Sequence, residues 1–326
     1  MSSRPFKQVD VFTATPYLGN GLAVVLDGVG VSDAEMQNFA RWTNLSETTF
    51  LLPPTPEAAA AGADYQVRIF APGYEMPFAG HPTLGSCHAW LEAGGVARDP
   101  GRVVQQCKAG LVSIRRTANA SSPGGQRLAF AAPALTRSAP TPDVGAALAG
   151  ALGLRQRQII AAQHLCNGPQ HFGFLVDDAS TLQNLEPDFA ALGRLLPQFG
   201  ISGLGLAAVQ ADPVVPALIG RSNREARAFG ASHGASNSAL PVDDAQVEVR
   251  FFFVTGPQVS EDPVTGSFNA SMAQWLIAEG HAPSHYTAAQ GQALGVQGRV
   301  HIAQDATGQV WVGGDVVTCI DGQITI

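Results

Sequence analysis

Apolar positions along this chain recur in two registers. Residues 6 to 13 (FKQVDVFT) and 21 to 27 (GLAVVLD) read as strands, and the turn residues Pro16, Gly19, Asn20 and Gly21 between them predict a hairpin. Ser32-Asp33-Ala34-Glu35 has capping-box spacing, in which a hydroxyl and a carboxylate three residues on satisfy each other's backbone N–H groups. Met36, Phe39, Ala40 and Trp42 then give a helix one apolar side, and this pattern stops near Thr43. Strand-like ETTFLLPP (47 to 54) and DYQVRIFAP (64 to 72) follow. Leu84, Cys87, His88 and Leu91 recur at helical spacing until Gly94-Gly95, and hairpin-like strands lie near 103 to 116 and 127 to 132. SSPGGQ (121 to 126) and the Pro-rich PALTRSAPTPD (133 to 143) break the pattern, so the expected domains are 1–126 and 127–326, the last strand returning to the first domain.

The pattern also repeats itself. VRFFFVTGPQVSEDPVTGSFNASMAQWLIAEG (249 to 280) follows the order of VRIFAPGYEMPFAGHPTLGSCHAWLEAGG (67 to 95). Both begin Val-Arg-x-Phe, turn at a glycine, start a helix at Gly-polar (Gly80-His81, Gly266-Ser267) and reach Trp-Leu, then an acidic residue and glycine. Two copies, each within a half of more than 100 residues, indicate an internally duplicated two-domain protein rather than a solenoid. If the halves face each other, two helix N-termini converge on one cleft, and such a cleft favours a carboxylate.

In AGHPTLGSCHAW (79 to 90) the periodicity puts His81 at a helix start, with Pro82 suited to the first helical position because its missing N–H has no partner to lose there. Free N–H groups and the positive end of the helix dipole then face whatever approaches Gly80 and His81. A satisfied capping histidine and an anion-site histidine both fit this stretch alone.

With 326 residues, 45% hydrophobic and 14% charged, the chain can bury a large core. A net charge of −7 without blocks of Lys or Arg points away from nucleic acid and anionic membranes and toward a small molecule. The N-terminus has no apolar signal segment, and no window approaches the ~18 uninterrupted apolar residues of a membrane span, so a cytoplasmic location is expected. Cys87, Cys107, Cys166 and Cys319 are scattered and read as small hydrophobes rather than a zinc site or disulfide framework.

Taken in order, GNGLAVVLDG, RWTNLSETTFL, YQVRIFAPGYEMPFAGHPTLG and SEDPVTGS resemble the signature blocks of the phenazine-biosynthesis-type (PhzF-like) isomerases over nearly the whole chain. The resemblance implies an α/β fold similar to diaminopimelate epimerase. Two pseudo-symmetric domains, each a barrel-like curved sheet around a central helix, would hold the active site between them. It also implies a homodimer, no metal, no organic cofactor, and an isomerase that moves a proton between carbons. Position by position, it makes Glu47 the acid/base with His81 and Asp262 beside it and Ser267 at the second helix start. Ser46, Gly80, Pro82, Thr83, Thr265 and Gly266 join Ser267 as expected contacts for a small carboxylate substrate. On pattern alone Glu47 reads as an ordinary polar residue at a strand start and Asp262 as a plain N-cap or turn residue, and only the resemblance reverses this. Leu22, where the family often has proline after Gly-Asn, is a departure expected to touch a turn and leave the chemistry alone.

Other readings stay open. An epimerase of the same fold would use two thiols, but Ala79 and Val264 stand at those positions and cannot ionise. Gly203-x-Gly205-x-x-Ala208 fits a dinucleotide fingerprint only formally, because its own run looks like a strand. His281 and His285 are separated by Pro283 and have no acidic third ligand nearby, so a surface loop suits them better than a metal. A non-catalytic binding protein that kept the fold is the remaining rival.

Overall fold

The computed structural model of the chain describes residues 2–210, 245–255 and 258–326. The first half opens with the antiparallel pair β1 (Ser3–Val11) and β2 (Asn20–Val25). Helix α1 (Asp33–Thr43), started by the Ser32/Glu35 capping box, leads to β3 (Thr48–Leu52), parallel to β2. The short helix α2 (Pro56–Ala60) precedes β4 (Tyr65–Phe70), antiparallel to β3 and folded back on the short β5 (Glu75–Met76). Helix α3 (Gly80–Glu92) crosses to β6 (Arg102–Cys107), parallel to β4, and β7 (Gly110–Ala118) and β8 (Gln126–Ala131) continue antiparallel.

The second half begins with β9 (Thr136–Ser138), α4 (Pro142–Ala151), β10 (Ile159–Cys166), β11 (Gln170–Val176), α5 (Ala179–Gln183) and α6 (Phe189–Gln198). Then come β12 (Gly203–Val209), β13 (Val247–Thr255), β14 (Gln258–Glu261), α7 (Gly266–Ala278) and β15 (His285–Gln290). The chain closes with β16 (Gly298–Gln304), β17 (Val310–Gly314) and β18 (Val316–Thr325). The pairings repeat those of the first half. β10 and β11 are antiparallel, β11 and β12 parallel, β12 and β13 antiparallel, and β13 and β15 parallel across α7. β9 pairs with β10, while β8 pairs with β17 and β18 with β1, so strands of the two halves pair with each other in one sheet. The turn glycine expected at Gly256 lies outside the described residues.

The duplicated helices take the central positions. Every residue from Gly80 to Ala89 is buried, and so are Gly266, Phe268 to Ala273, Trp275 and Leu276. A helix apolar on all sides is stable only when surrounded, and each curved sheet supplies that surrounding. Close approach needs small residues: a methyl group on Gly85 would come within 2.6 Å of the Leu22 side chain and 3.0 Å of Val9 and Val11. Leu22 is therefore a core residue inside β2, opposite Val9, and the departure from the family pattern falls in packing rather than in a turn. In β12, Gly203 and Gly205 leave room for the rings of Phe251 and Phe268, which explains the glycines of the formal dinucleotide fingerprint.

The repeated Val-Arg-x-Phe has a structural role that the pattern did not disclose. Arg68 holds both carboxylate oxygens of Glu75 at 2.8 and 3.1 Å, and Arg250 holds those of Glu261 at 2.8 and 2.7 Å. Each guanidinium thereby clamps the hairpin that feeds a central helix, the fork of Arg matching a carboxylate two bonds at a time.

Candidate active site

Strand direction gathers the site. Because β2 and β3 run parallel, their starts, Asn20 and Thr48, lie at one end of the sheet, and β4, antiparallel to β3, finishes there with Phe70 opposite Thr48. The chain then turns through β5 into α3, whose first turn arrives at the same end. Glu47 is delivered by a tight connection: Asn44 ends α1 in the left-handed region at φ 55°, and the Thr43 and Thr48 hydroxyls lie 2.9 Å apart across the turn.

There Glu47 Oε2 lies 3.3 Å from His81 Nε2, with the two side chains 14% and 7% exposed. The atoms are close but not aligned for a hydrogen bond, and neither has another partner among the described residues. Asn20, read from the sequence as a turn residue, joins the halves here. Its Nδ2 lies 2.9 Å from the Val264 carbonyl, 3.2 Å from Asp262 Oδ1 and 3.4 Å from His81 Nδ1, while the Ser46 hydroxyl reaches its Oδ1 at 3.5 Å. Since the carbonyl only accepts, the Asn20 amide nitrogen must face this way, and His81 Nδ1 meets a donor. Neutral His81 then carries its hydrogen on Nε2, toward Glu47.

Asp262 is held from the other side. The Thr265 hydroxyl donates to its Oδ2 at 2.6 Å, and Gln290 Nε2 donates to its carbonyl at 3.1 Å and to the Thr265 hydroxyl at 3.0 Å. Gln290 Oε1 accepts from the Thr265 N–H and from Asn269 Nδ2.

The two helix starts meet at glycines. A methyl group on Gly80 would lie 3.1 Å from Gly266 Cα and 2.8 Å from the Phe130 ring. Neither α3 nor α7 has a side-chain cap at its N-terminus, and neither first turn holds an acidic residue. No acidic residue within the helices themselves offsets their N-terminal dipoles, and both dipoles favour an anion at this junction.

Electrostatics follow burial. Desolvation pushes the Glu47 carboxyl up to about 7, against the Ser46 hydroxyl that favours its charge. The same effect raises Asp262 to about 7, helped by the nearby Glu47 and opposed by Thr265, His81 and Asn20. Burial lowers His81 to about 4, so it is neutral near pH 7.

Most expected site residues are brought together: Glu47, His81, Asp262, Ser46, Gly80, Thr265, Gly266 and the half-buried Ser267. Thr83 stands apart. It is fully buried, with its hydroxyl donating to the Ala79 carbonyl and accepting from Gln105. Pro82 is the third helical residue rather than the first, since the helix opens at Gly80. Proline is tolerated there because the first-turn N–H groups lack intrahelical acceptors. Asn20, Gln290 and Asn167, whose Nδ2 donates to the Ser267 carbonyl at 2.8 Å, were not singled out from the sequence. Only the Gly-Asn-Gly spelling around Asn20 hinted at more than a loop.

The phenazine biosynthesis-like protein family model matches residues 9–322. The chain belongs to this family. It is 29% identical to Antisense-enhancing sequence 1 of Schizosaccharomyces pombe, over 99% of each chain. It is 33% identical to the trans-2,3-dihydro-3-hydroxyanthranilate isomerase of Pseudomonas fluorescens, over 57% of this chain and 62% of that protein. The crystal structure of a Bacillus anthracis PhzF-family protein superposes with a TM-score of 0.77 at 21% identity, over all of both chains. The fold is the diaminopimelate epimerase-like one, and the chain is an isomerase of the PhzF-like family. Among the described residues no helix is long and apolar enough to cross a membrane.

Proposed function

We propose that this isomerase moves a proton between carbons of a small carboxylate-bearing substrate without a cofactor, with Glu47 as the general acid and base. The observation that carries this is the buried pair of Glu47 Oε2 and His81 Nε2, facing each other without hydrogen-bond partners among the described residues. A carboxylate with its proton affinity raised to about 7 can both take and return a proton near neutrality. Ionised Glu47 takes the proton of an activated C–H, leaving the electron pair delocalised in the substrate. As an acid it then returns a proton to a second carbon, so charge and protons balance. His81 and Asp262 hold the geometry, and the joined N-termini of α3 and α7 receive the substrate's carboxylate. The name of the Pseudomonas fluorescens relative, an isomerase of a cyclic carboxylic acid, supports this substrate class. An epimerase working by two thiols has no support at Ala79 and Val264, which carry no ionisable group.

Simple cyclic acids such as benzoate, at millimolar concentration, are expected to raise the melting temperature and to compete with substrate. An unmoved melting temperature together with undiminished turnover would rule out the carboxylate cradle.

The raised Glu47 carboxyl also sets a pH dependence. With the ionised form required, kcat/KM climbs about tenfold per pH unit below roughly 7 and levels off above it. Stability moves the other way. Between about 4.5, where the unfolded carboxyl loses its proton, and about 7, where the native one does, the native state binds more protons, and Glu47's contribution to stability falls as pH rises. Unfolding of wild type and Glu47→Gln across this window checks it. A stability difference that stays constant with pH would contradict the raised affinity.

A further inference from the structure

Beside Ser267 the second half holds two polar side chains that the chemistry above does not use. Asn167 lies in the tight turn between β10 and β11, and His171 is the second residue of β11; they are 7% and 4% exposed. Asn167 Nδ2 donates to the Ser267 carbonyl at 2.8 Å. That carbonyl only accepts, so the orientation of the amide is settled and Asn167 Oδ1 turns away from it. Oδ1 is buried and meets no donor among the described residues, and His171 Nδ1 is buried and unpartnered in the same way. An acceptor shut away from water without a donor is costly, and such a group calls for a donor that the chain itself does not supply, such as a bound water, an ion or a ligand.

Both side chains adjoin the first turn of α7. The His171 ring lies edge-on to Phe268, the third residue of that helix, at 5.9 Å, and to Phe251 at 5.0 Å. Gly173, two positions on and on the same strand face, lies against Met272 and Trp275 further along α7. Strand pairing identifies the counterpart of His171 in the first half: Phe172 pairs with Leu204 and Leu204 with Phe252, as Ala23 pairs with Thr48 and Thr48 with Phe70, so His171 matches Leu22, which packs on Gly85 of α3. A polar ring thus stands in the second half where the first half has an apolar core side chain. There the side chain fills the core; here the ring nitrogen Nδ1 has no partner among the described residues.

We propose that Asn167 is a specificity residue: its Oδ1 accepts a hydrogen bond from an amino or hydroxyl substituent of the substrate acid, in a subsite walled by His171 at the N-terminus of α7. This rests on the reading that the substrate's carboxylate is held where α3 and α7 meet. It adds that the substituent projects into the second half while the reacting carbons face Glu47 in the first. His171 is lowered to about 4 by burial, so at neutral pH the subsite walls carry no charge and suit a neutral donor.

Calorimetric titration of benzoate and its 2-, 3- and 4-amino derivatives tests this on wild type, Asn167→Leu and Asn167→Ala, the smaller substitution serving if the leucine variant does not fold. The expected result is that at least one amino isomer binds wild type about 3- to 10-fold more tightly than benzoate, the size of one neutral hydrogen bond. In the variants that ratio falls to about one while benzoate affinity stays within about twofold. Wild type that binds benzoate and shows no preference for any amino isomer overturns the subsite and leaves the carboxylate reading standing. A preference that survives in the variants also overturns it, as does an equal loss for all four acids, which would make Asn167 a support for α7 only. No binding of benzoate to wild type takes down the carboxylate reading and the subsite with it.

Discussion

Glu47→Gln is expected to leave the fold intact and to cut turnover by at least about 10²- to 10⁴-fold, the usual contribution of general acid/base catalysis. Glutamine keeps the length and shape of the side chain that lies 3.3 Å from His81, so the packing of the turn after Asn44 has no reason to change. What disappears is the ability to carry a proton. His81→Asn and Asp262→Asn should each cost less, because these residues hold Glu47 and the substrate in place through Asn20 rather than exchange the proton with carbon. Turnover in deuterated water, with the product read by NMR, adds a direct view. A side chain that exchanges with solvent leaves deuterium at the new C–H position, whereas a shielded Glu47 returns part of the original hydrogen. Full activity of Glu47→Gln on a substrate that wild type isomerises would return Glu47 to the role of a strand-start residue.

Arg250→Met should destabilise the protein by about 3–5 kcal/mol, the range found when one partner of a buried ion pair is removed. Both members are almost wholly buried, at 10% and 7% side-chain exposure. Methionine matches the aliphatic stem of Arg250 but strands the Glu261 carboxylate, and it removes the donor that reaches the Leu182 carbonyl at 2.8 Å. The duplicate in the first half is the internal control. Arg68 and Glu75 are 21% and 22% exposed and Lys108 Nζ also lies 3.7 Å from Glu75, so water and Lys108 both ease the remaining carboxylate and Arg68→Met should cost clearly less. Urea unfolding of the two variants measures the difference. Equal losses, or an Arg250→Met loss below about 1 kcal/mol, would show that burial does not set the strength of the clamp. Because Glu261 immediately precedes Asp262, the same variant should also weaken turnover while the protein remains folded.

The elements were legible because their signals are local. The capping box at Ser32 and Glu35, the helix stop at Gly94 and the run of 64 to 72 each depend on residues within a turn or two, and the structure places α1, α3 and β4 there. The duplication was legible for a related reason: two copies that fold alike keep alike the small residues that packing demands, such as Gly80 and Gly266. Where local reasoning slipped, tertiary contact was the cause. Leu22 follows turn residues yet is a core side chain, because α3 comes down on β2 at Gly85. Thr83 sits one helical turn into a segment rich in expected site residues, but helix rotation points its hydroxyl at Ala79 and Gln105.

By itself, then, the sequence determined the alternation of strands and helices, the two-fold repeat, and, through resemblance, which residue types would meet. Only the tertiary structure decided how they meet. Asn20 contacts His81 61 positions away and Asp262 242 positions away, and Arg127 bonds Asp315 across 188 positions. Such contacts leave no periodicity in the chain, because they arise when the two halves of one curved sheet set their central helices end to end. The raised Glu47 and Asp262 and the lowered His81 have the same origin. Proton affinity follows desolvation and neighbouring charge, and both exist only once the halves have closed over the helix starts.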